Sequence, residues 1–125
     1  MEIIPQNQFP HLKRFQEKFP ITDKTIFAWD NVIYSNYPVS EDLIIHEKTH
    51  HSQQKRDGLN YWLDNYLNNT KYRLCQEIEA YRNQIKSIKH PKLKILVTEE
   101  SIKHLKSGLY GDIIDGINLR KEILK

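Results

Sequence analysis

Cysteine is nearly absent from this chain of 125 residues, which contains only Cys75. A single thiol cannot form a disulfide framework within one chain, and this composition fits a reducing compartment. Long apolar runs are absent too, so no stretch predicts a secretory signal or is long enough to span a membrane. We therefore expect a cytoplasmic protein without a membrane partner.

The chain also lacks a strong charge of one sign. Its 19 Lys and Arg residues against 16 Asp and Glu residues give a formal net charge of +3, and no run of five basic residues occurs. So small and dispersed a surplus does not favour a nucleic-acid partner. Internal repeats and composition breaks are missing as well, so we expect one domain over residues 1–125, with one modest core.

Apolar spacing and turn residues divide the chain into short elements. A helical spacing of large apolar residues predicts a short helix within 8–19. Two β-rich runs, 25–29 and 32–34, flank the polar pair Asp30-Asn31, which predicts a hairpin with a two-residue turn. Further helices are predicted from Ser40, as the cap, to about Arg56; from Leu59 to Leu67; from beyond Asn69 to His90-Pro91; from Thr98 to Lys106, closed by Gly108; and from Asp112 or Asp115 to Leu124. The predicted fold class is α+β, mostly helical with one small sheet.

The stretch IIHEKTHHSQQ, residues 44–54, predicts a metal site. Residues four apart share one face of a helix, so His46 and His50 can direct their imidazoles at one zinc ion, with Zn–N distances of about 2.0–2.1 Å. Glu47 lies about a third of a turn around the helix. It is too far round to be a natural ligand, yet close enough to act as general base on a zinc-activated water.

The alternative for this pattern is a pair of solvated histidines on an exposed helix face. Leu43 argues against it, because it shares the face of His46 and His50 and indicates that this face is directed inward. Four other histidines lack the spacing of ligands and are expected at the surface: His11, His51, His90 and His104.

A zinc site needs a third protein ligand, and the predicted helix containing RLCQEIEAYRNQ, residues 73–84, offers two carboxylates. With about 100° per residue, Glu77 lies roughly 60° from the centre of the apolar stripe and Glu79 roughly 140° from it. Glu77 therefore borders the core and is the predicted ligand, whereas Glu79 faces water. Two alternatives stay open: Glu77 could pair with Arg73, one turn back, and Cys75 could provide a thiolate.

These residues resemble the gluzincin zinc metallopeptidases, over about residues 25–85. The motifs that carry the resemblance are His46-Glu47-x-x-His50, the following Gln53, and Glu77-Ile78-Glu79-Ala80 on a later helix. Small peptidase-like proteins, many of them phage-encoded, have similar H-E-x-T-H-x-x-Q and E-x-E-A-Y-R patterns. The resemblance implies a minimal zincin-like core, zinc bound by His46, His50 and Glu77, and Glu47 as general base. It also implies an edge strand beside the site that aligns an extended peptide, which the 25–34 hairpin could provide.

One position departs from the family pattern. Many relatives have Asp four residues after the ligand glutamate, where it supports a zinc-bound histidine, and this chain has Tyr81 there. Tyr81 or Gln53 could take over that hydrogen bond, but neither carries a charge, which leaves the catalytic rate open. The residue that stabilises the transition state is also open, among four candidates: Tyr61, Tyr66, Tyr72 and Arg73.

The predicted function is zinc-dependent hydrolysis of amide bonds, with a peptide or protein as substrate. The alternative is a zinc-binding protein of zincin fold with little or no catalysis, acting as a binding or assembly module. Glu47 distinguishes the two, because a structural site has no use for a general base. A deformylase-like enzyme with Cys75 as ligand is a third, weaker alternative, since those enzymes carry the cysteine upstream of the motif.

Overall fold

A computed structural model describes residues 1–107 and 118–125 of the chain. Three short strands form one sheet: β1 (Glu2–Ile4), β2 (Phe27–Trp29) and β3 (Val32–Tyr34). The helices of the described residues are α1 (Leu12–Lys18), α2 (Glu41–Asp57), α3 (Leu59–Asn68), α4 (Thr70–Ser87), α5 (Pro91–Leu105) and α6 (Leu119–Ile123), and a 3-10 turn at Gln6–Gln8 precedes α1. The fold is therefore α+β and mostly helical, as predicted.

The structure confirms the predicted hairpin. Strands β2 and β3 are antiparallel, with Phe27 opposite Tyr34. The turn residues Asp30 and Asn31 have φ angles of 48° and 67°. A two-residue hairpin turn of this kind requires the left-handed region at both positions, and Asp and Asn adopt it more readily than other residues with a side chain.

Strand β1 is not predicted by the sequence, because three residues give too short an alternation to recognise. It pairs in parallel with β3, with Ile3 opposite Ile33, and the strand order is β1-β3-β2. Strand β2 is therefore an edge strand, and Gln54 of α2 bonds to its outer side. The Gln54 amide donates to the carbonyl oxygen of Ala28 at 2.9 Å and accepts from the N–H of Asp30 at 3.1 Å.

Short connections link α2, α3 and α4. Gly58, with φ of 90°, ends α2 and directly precedes α3, and this left-handed value favours glycine. Asn69 caps α4 by accepting from the backbone N–H of Tyr72 at 3.0 Å. Ser40 precedes α2 as predicted, but its side chain makes no capping hydrogen bond.

Helices α2 and α4 pack antiparallel to each other. His46, early in α2, contacts Gln84, late in α4, whereas Gln53, late in α2, contacts Gln76, early in α4. This arrangement places Glu77 of α4 opposite the last turns of α2 and hence within reach of the motif histidines.

Helix α5 begins earlier than predicted, at Pro91 and not at Thr98. Proline suits the first position of a helix, so His90-Pro91 starts α5 as well as following the end of α4. The His90 side chain accepts from the N–H of Leu93 at 3.4 Å. Thr98 is buried inside the helix, where its hydroxyl donates to the carbonyl oxygen of Lys94 at 2.7 Å.

The predicted C-terminal helix is found in part. Helix α6 follows Asn118, whose side chain accepts from the N–H of Lys121 at 3.1 Å. Gly108, Asp112 and Asp115, which the sequence places at element boundaries, lie outside the described residues.

Two clusters of buried apolar side chains form the core. The first joins α4, α5 and α6 and comprises Leu74, Ile78, Ile85, Ile102, Leu105, Leu119 and Ile123. The second joins the N-terminal segment, the sheet and α3 and comprises Phe9, Phe15, Phe27, Tyr34, Leu63 and Leu67. No helix among the described residues is long and apolar enough to cross a membrane.

Candidate metal centre

The buried side of α2 is polar throughout. Its buried residues are His46, Glu47, Thr49, His50, Gln53 and Gln54. Polar and charged groups are retained in an interior only where hydrogen bonds, opposite charges or a metal ion compensate for lost hydration. The side of α2 that faces α4 is therefore a polar site and not part of either apolar cluster.

The carboxylate of Glu77 lies against both motif histidines. Its Oε1 is 3.3 Å from Nε2 of His46, and its Oε2 is 2.8 Å from Nε2 of His50. The hydroxyl of Tyr66 donates to the same Oε2 at 2.9 Å. The side chain of Glu77 is 6% exposed, whereas that of Glu79 is 38% exposed. Helical facing thus directs Glu77, and not Glu79, toward the histidines.

Gln53 fixes the tautomer of His50. Its amide nitrogen donates to the carbonyl oxygen of Gln76 at 3.0 Å and to the carboxylate of Glu79 at 2.7 Å, and both of these groups only accept. Its amide oxygen lies 2.9 Å from Nδ1 of His50 and 3.3 Å from the indole nitrogen of Trp62, which only donates. Nδ1 of His50 therefore carries a proton, and Nε2 holds the lone pair when the ring is neutral.

Gln84 fixes the tautomer of His46 in the same way. Its amide nitrogen donates to Oδ2 of Asp42 at 2.8 Å, so its amide oxygen is the atom that lies 2.9 Å from Nδ1 of His46. Both histidines thus have a protonated Nδ1 and direct Nε2 toward Glu77. Orientation of this kind by an outer hydrogen bond is what a metal-binding histidine requires.

The two residues expected to replace the family's aspartate have different positions. Gln53 does bond to a motif histidine, His50, as described above. Tyr81 instead packs its ring edge-on against His46, with centroids 4.6 Å apart, and its hydroxyl lies 2.5 Å from Nδ1 of His104. The hydrogen bond to His46 comes from Gln84, a role that the sequence analysis does not predict.

The donor set fits a metal ion. The ligand atoms of His46, Glu47 and His50 lie within 4.8 Å of one another, and this buried group could hold a metal ion. The Glu77 oxygens are also close, at 3.3 and 2.8 Å from the two Nε2 atoms. Ligand atoms of a tetrahedral zinc site with metal–ligand distances of about 2.0–2.1 Å lie about 3.3 Å apart. Two imidazoles and one carboxylate therefore converge at a separation suited to one small cation.

The same residues form an ion pair when a proton takes the place of a metal ion. Burial lowers the pKa of His50, but the adjacent Glu77 carboxylate outweighs it and raises this pKa to about 9. Burial raises the pKa of Glu77, but the charge of His50 and hydrogen bonds from both histidines hold it well below its usual range. A metal ion would have to displace the proton of His50 to bind here.

Glu47 has an unsatisfied carboxylate oxygen beside this group. The residue is 5% exposed, and its Oε2 has no hydrogen-bond partner among the described residues. Burial raises the pKa of Glu47, although the charges of His46 and His50 oppose the rise. A buried acceptor without a partner costs free energy, which is consistent with an atom that bonds to a molecule bound by the protein.

A cavity of about 650 Å³ borders the site. His46, Glu47, His50 and Glu77 all line it. Other parts of its wall are apolar and include Phe9, Phe15, Phe19, Ile21, Phe27 and Leu43. Pockets that bind small molecules and substrates have volumes of roughly 300–1,000 Å³, so the cavity is large enough for a ligand.

Two of the four residues considered as transition-state stabilisers line this cavity, namely Tyr66 and Arg73. Arg73 donates to the carbonyl oxygen of Tyr66 at 2.7 Å, and its guanidinium lies 5.0 Å from the ring centroid of Phe19. Tyr61 and Tyr72 are not among the residues that line the cavity. His104, expected only as a surface residue, is exposed but does line it.

The remaining histidines and the alternative ligands do not line the cavity. His90 is exposed as expected, whereas His11 and His51 are half-buried, so the expected exposure of these two is wrong. Cys75 is exposed and does not line the cavity. Glu79 is bonded to Gln53 and is not simply solvated.

Comparison of the chain with models of known families, with curated proteins and with solved structures finds no match. The resemblance to gluzincin peptidases therefore rests on the motif residues alone.

Proposed function

We propose that the protein is a zinc-dependent hydrolase of peptide bonds. The observation that carries the proposal is the pairing of two features in one cavity. His46 and His50, each with a fixed tautomer, direct their Nε2 atoms at Glu77. Beside them, Glu47 has a buried carboxylate oxygen without a hydrogen-bond partner among the described residues. The first feature suits a metal ion, and the second suits a reacting water molecule.

His46, His50 and Glu77 would hold the zinc ion. When bound, zinc supplies Lewis-acid polarisation of the substrate carbonyl and lowers the pKa of water. Glu77 is assigned as the ligand, and not Glu47, because both of its oxygens already lie against the Nε2 atoms. Tyr66 restricts the Glu77 carboxylate through its hydroxyl.

Glu47 is assigned as the general base. Its carboxylate takes a proton from the attacking water and delivers it to the amine nitrogen as the amide bond breaks. Burial raises the pKa of Glu47, which makes its carboxylate a stronger base toward the proton of the attacking water.

His104 is assigned as the donor to the substrate's carbonyl oxygen. When the hydroxyl of Tyr81 donates to Nδ1 of His104, across 2.5 Å, the imidazole proton is on Nε2. A donor that lines the cavity can stabilise the negative charge that develops on the carbonyl oxygen. Tyr81 is then a positioning residue that also packs against His46.

Strand β2 supports an extended substrate. Residues 24–28 line the cavity, and β2 is at the edge of the sheet. Gln54 occupies the carbonyl oxygen of Ala28, so a peptide would pair with the backbone that directly precedes β2, at Ile26. Alternate residues of a strand direct their backbone groups to the same side.

The second candidate is a zinc-binding protein with little catalysis. It is favoured by the completeness of the His46–Glu77–His50 group, in which each histidine bonds through both nitrogens. Under this alternative Glu47 has no chemical role.

The test is cleavage of a peptide library at high enzyme concentration, with detection by mass spectrometry. Cleavage by the wild type should be abolished by a chelator. Glu47→Gln should bind zinc normally but cleave about 10²–10⁴-fold more slowly, since it cannot accept a proton. Equal cleavage by Glu47→Gln and the wild type would remove Glu47 from the mechanism, and no cleavage of any peptide would favour the second candidate.

A further inference from the structure

Positive charge is concentrated where α4 ends and α5 begins. Residues 80–98 contain no Asp or Glu, but they contain four exposed lysines: Lys86, Lys89, Lys92 and Lys94. None of the four forms a salt bridge among the described residues. Acidic residues reach this end of the fold on α2, where Glu41 and Asp42 begin the helix and Asp42 accepts from Gln84. The first turn of α5 and the turn before it therefore present positive charge alone.

Three large aliphatic side chains lie among these lysines. Leu93, Ile95 and Leu96 are 43%, 64% and 58% exposed. Every residue from 91 to 96 is exposed, whereas the rest of α5 buries four side chains, those of Thr98, Ser101, Ile102 and Leu105. The start of α5 thus extends beyond the helices against which the rest of α5 packs. The four lysines and the three aliphatic residues are hereafter the basic tip.

The shape of the basic tip fits a lipid surface better than a protein groove. With 100° per residue, its three aliphatic side chains span about 160° of the helix circumference, so they project around a convex end. A groove that binds a helix recognises one stripe of residues three and four apart. Nucleic acid attracts lysines through its phosphates but offers no apolar layer to the aliphatic side chains. A bilayer with anionic lipids offers both negative headgroups and an apolar layer beneath them.

We propose that the basic tip attaches the protein to membrane surfaces that contain anionic lipids. The lysines contact the headgroups, and Leu93, Ile95 and Leu96 enter the boundary between headgroups and acyl chains. The sequence predicts no membrane partner because no stretch is long enough to span a bilayer, but attachment to a surface requires no spanning segment. The proposal is independent of the metal centre. His104, which lines the cavity, follows Leu96 by about 12 Å along α5.

Cosedimentation with lipid vesicles tests the attachment. One set of vesicles consists of phosphatidylcholine alone, and the other of equal parts of phosphatidylcholine and phosphatidylglycerol. The wild type should bind the mixed vesicles at least about tenfold more tightly, because several lysines face the anionic surface. Raising the salt from about 0.1 M to about 1 M shortens the Debye length from about 10 Å to about 3 Å and should weaken this binding. No binding to the mixed vesicles, or equal binding to both sets, would overturn the proposal.

A charge variant shows whether the lysines of the tip make the contact. The double variant Lys92→Gln, Lys94→Gln should bind the mixed vesicles about 25-fold more weakly, since each lysine near an anionic surface contributes a factor of about five. The matched control is Lys55→Gln, Lys71→Gln, which removes the same charge at exposed positions near the other ends of α2 and α4. Its affinity should stay within about twofold of the wild type, because charges beyond a Debye length from the surface are largely screened. Equal losses in both variants would indicate attraction to the whole basic protein and would overturn the tip.

An apolar variant shows whether side chains enter the lipid. The double variant Ile95→Ala, Leu96→Ala keeps the net charge and suits a helix. It should bind the mixed vesicles at least about tenfold more weakly, because it removes most of the apolar surface that the lipid buries. Tyr61→Ala, at a position on α3 as exposed as Leu96, at 58%, is the control and should bind like the wild type. Thermal melting verifies that each variant is folded.

Two outcomes would assign the tip to another role. Unchanged vesicle binding by folded Ile95→Ala, Leu96→Ala would show that charge alone makes the contact and would overturn insertion into the lipid. Binding of poly-L-glutamate by the wild type, without binding to the mixed vesicles, would overturn the lipid surface in favour of an acidic polypeptide.

Discussion

Zinc binding should depend steeply on pH, because the metal ion competes with the proton of His50. The Glu77 carboxylate raises the pKa of His50 to about 9, and only the neutral imidazole binds metal. At pH 7 about one His50 imidazole in a hundred is neutral. The apparent affinity for zinc should therefore be about 100-fold weaker at pH 7 than above pH 9. This factor corresponds to about 2.7 kcal/mol.

The metal-free protein should respond to pH with the opposite sign. The folded pKa of His50 lies above its unfolded value of 6.5, so its stabilising contribution is complete below pH 6.5 and is lost as the pH rises through about 9. The lowered pKa of Glu77 gives a contribution that is present above its unfolded value of 4.5 and is lost only at lower pH. Both shifts describe one ion pair, which contributes about 3 kcal/mol when counted once from His50.

Competition with a chromophoric chelator between pH 6 and pH 9.5 measures the zinc affinity. The logarithm of Kd should fall by about one per pH unit between pH 6.5 and about 9 and then level off. Glu77→Gln removes the carboxylate that raises the pKa of His50. In this variant Kd should stop changing with pH at about pH 6.5 or below, and zinc should bind more weakly overall. A Kd that does not change between pH 6.5 and 8.5, or a Glu77→Gln protein that still levels off at pH 9, would refute the reasoning.

Three further predictions concern the ligands and their supports. Glu77→Ala should lose zinc in elemental analysis while Glu79→Ala retains it, and the reverse result would contradict the ligand assignment. Gln84→Leu removes the acceptor of His46 and should weaken zinc binding about 10- to 100-fold in chelator competition, whereas Lys86→Leu, at an exposed position of α4, should have little effect. Chelation should lower the melting temperature by roughly 10 °C, since zinc at a hundredfold its Kd adds ~2.7 kcal/mol to a domain of this size; an unchanged melt after confirmed zinc removal would argue against a site that joins α2 to α4.

Features encoded in short stretches of sequence were predictable. The hairpin follows from two β-rich runs around Asp30-Asn31, whose left-handed turn depends on those two residues alone. The position of Glu77 against the histidines follows from the 100° rotation per helical residue, which separates it from Glu79.

Features that depend on distant partners were not predictable. Strand β1 exists because β3 offers it a partner far along the chain. His104 reaches the cavity because α5 packs near α4, and its surroundings in the sequence do not indicate this. Gln84, in contrast, had a detectable signal. It lies seven residues, or about two turns, after Glu77 and hence on the same helix face, where an antiparallel α2 places His46.

Because Gln84 bonds to His46, Tyr81 does not have to replace the aspartate that many gluzincins have at this position. An aspartate bonded to a metal-binding histidine does two things, since it fixes the tautomer and increases the basicity of the ligand. In this protein Gln84 fixes the tautomer of His46, and the charge lies one residue further away, on Asp42. Gln53 and Glu79 repeat the arrangement at His50. Because an amide transmits orientation but not a full charge, Gln84 and Gln53 fix the tautomers of the two histidines with less added basicity than a directly bonded carboxylate would give. A metal ion held by such imidazoles would keep more of its own charge than one held by carboxylate-bonded imidazoles, which would favour ionisation of a water molecule at the site.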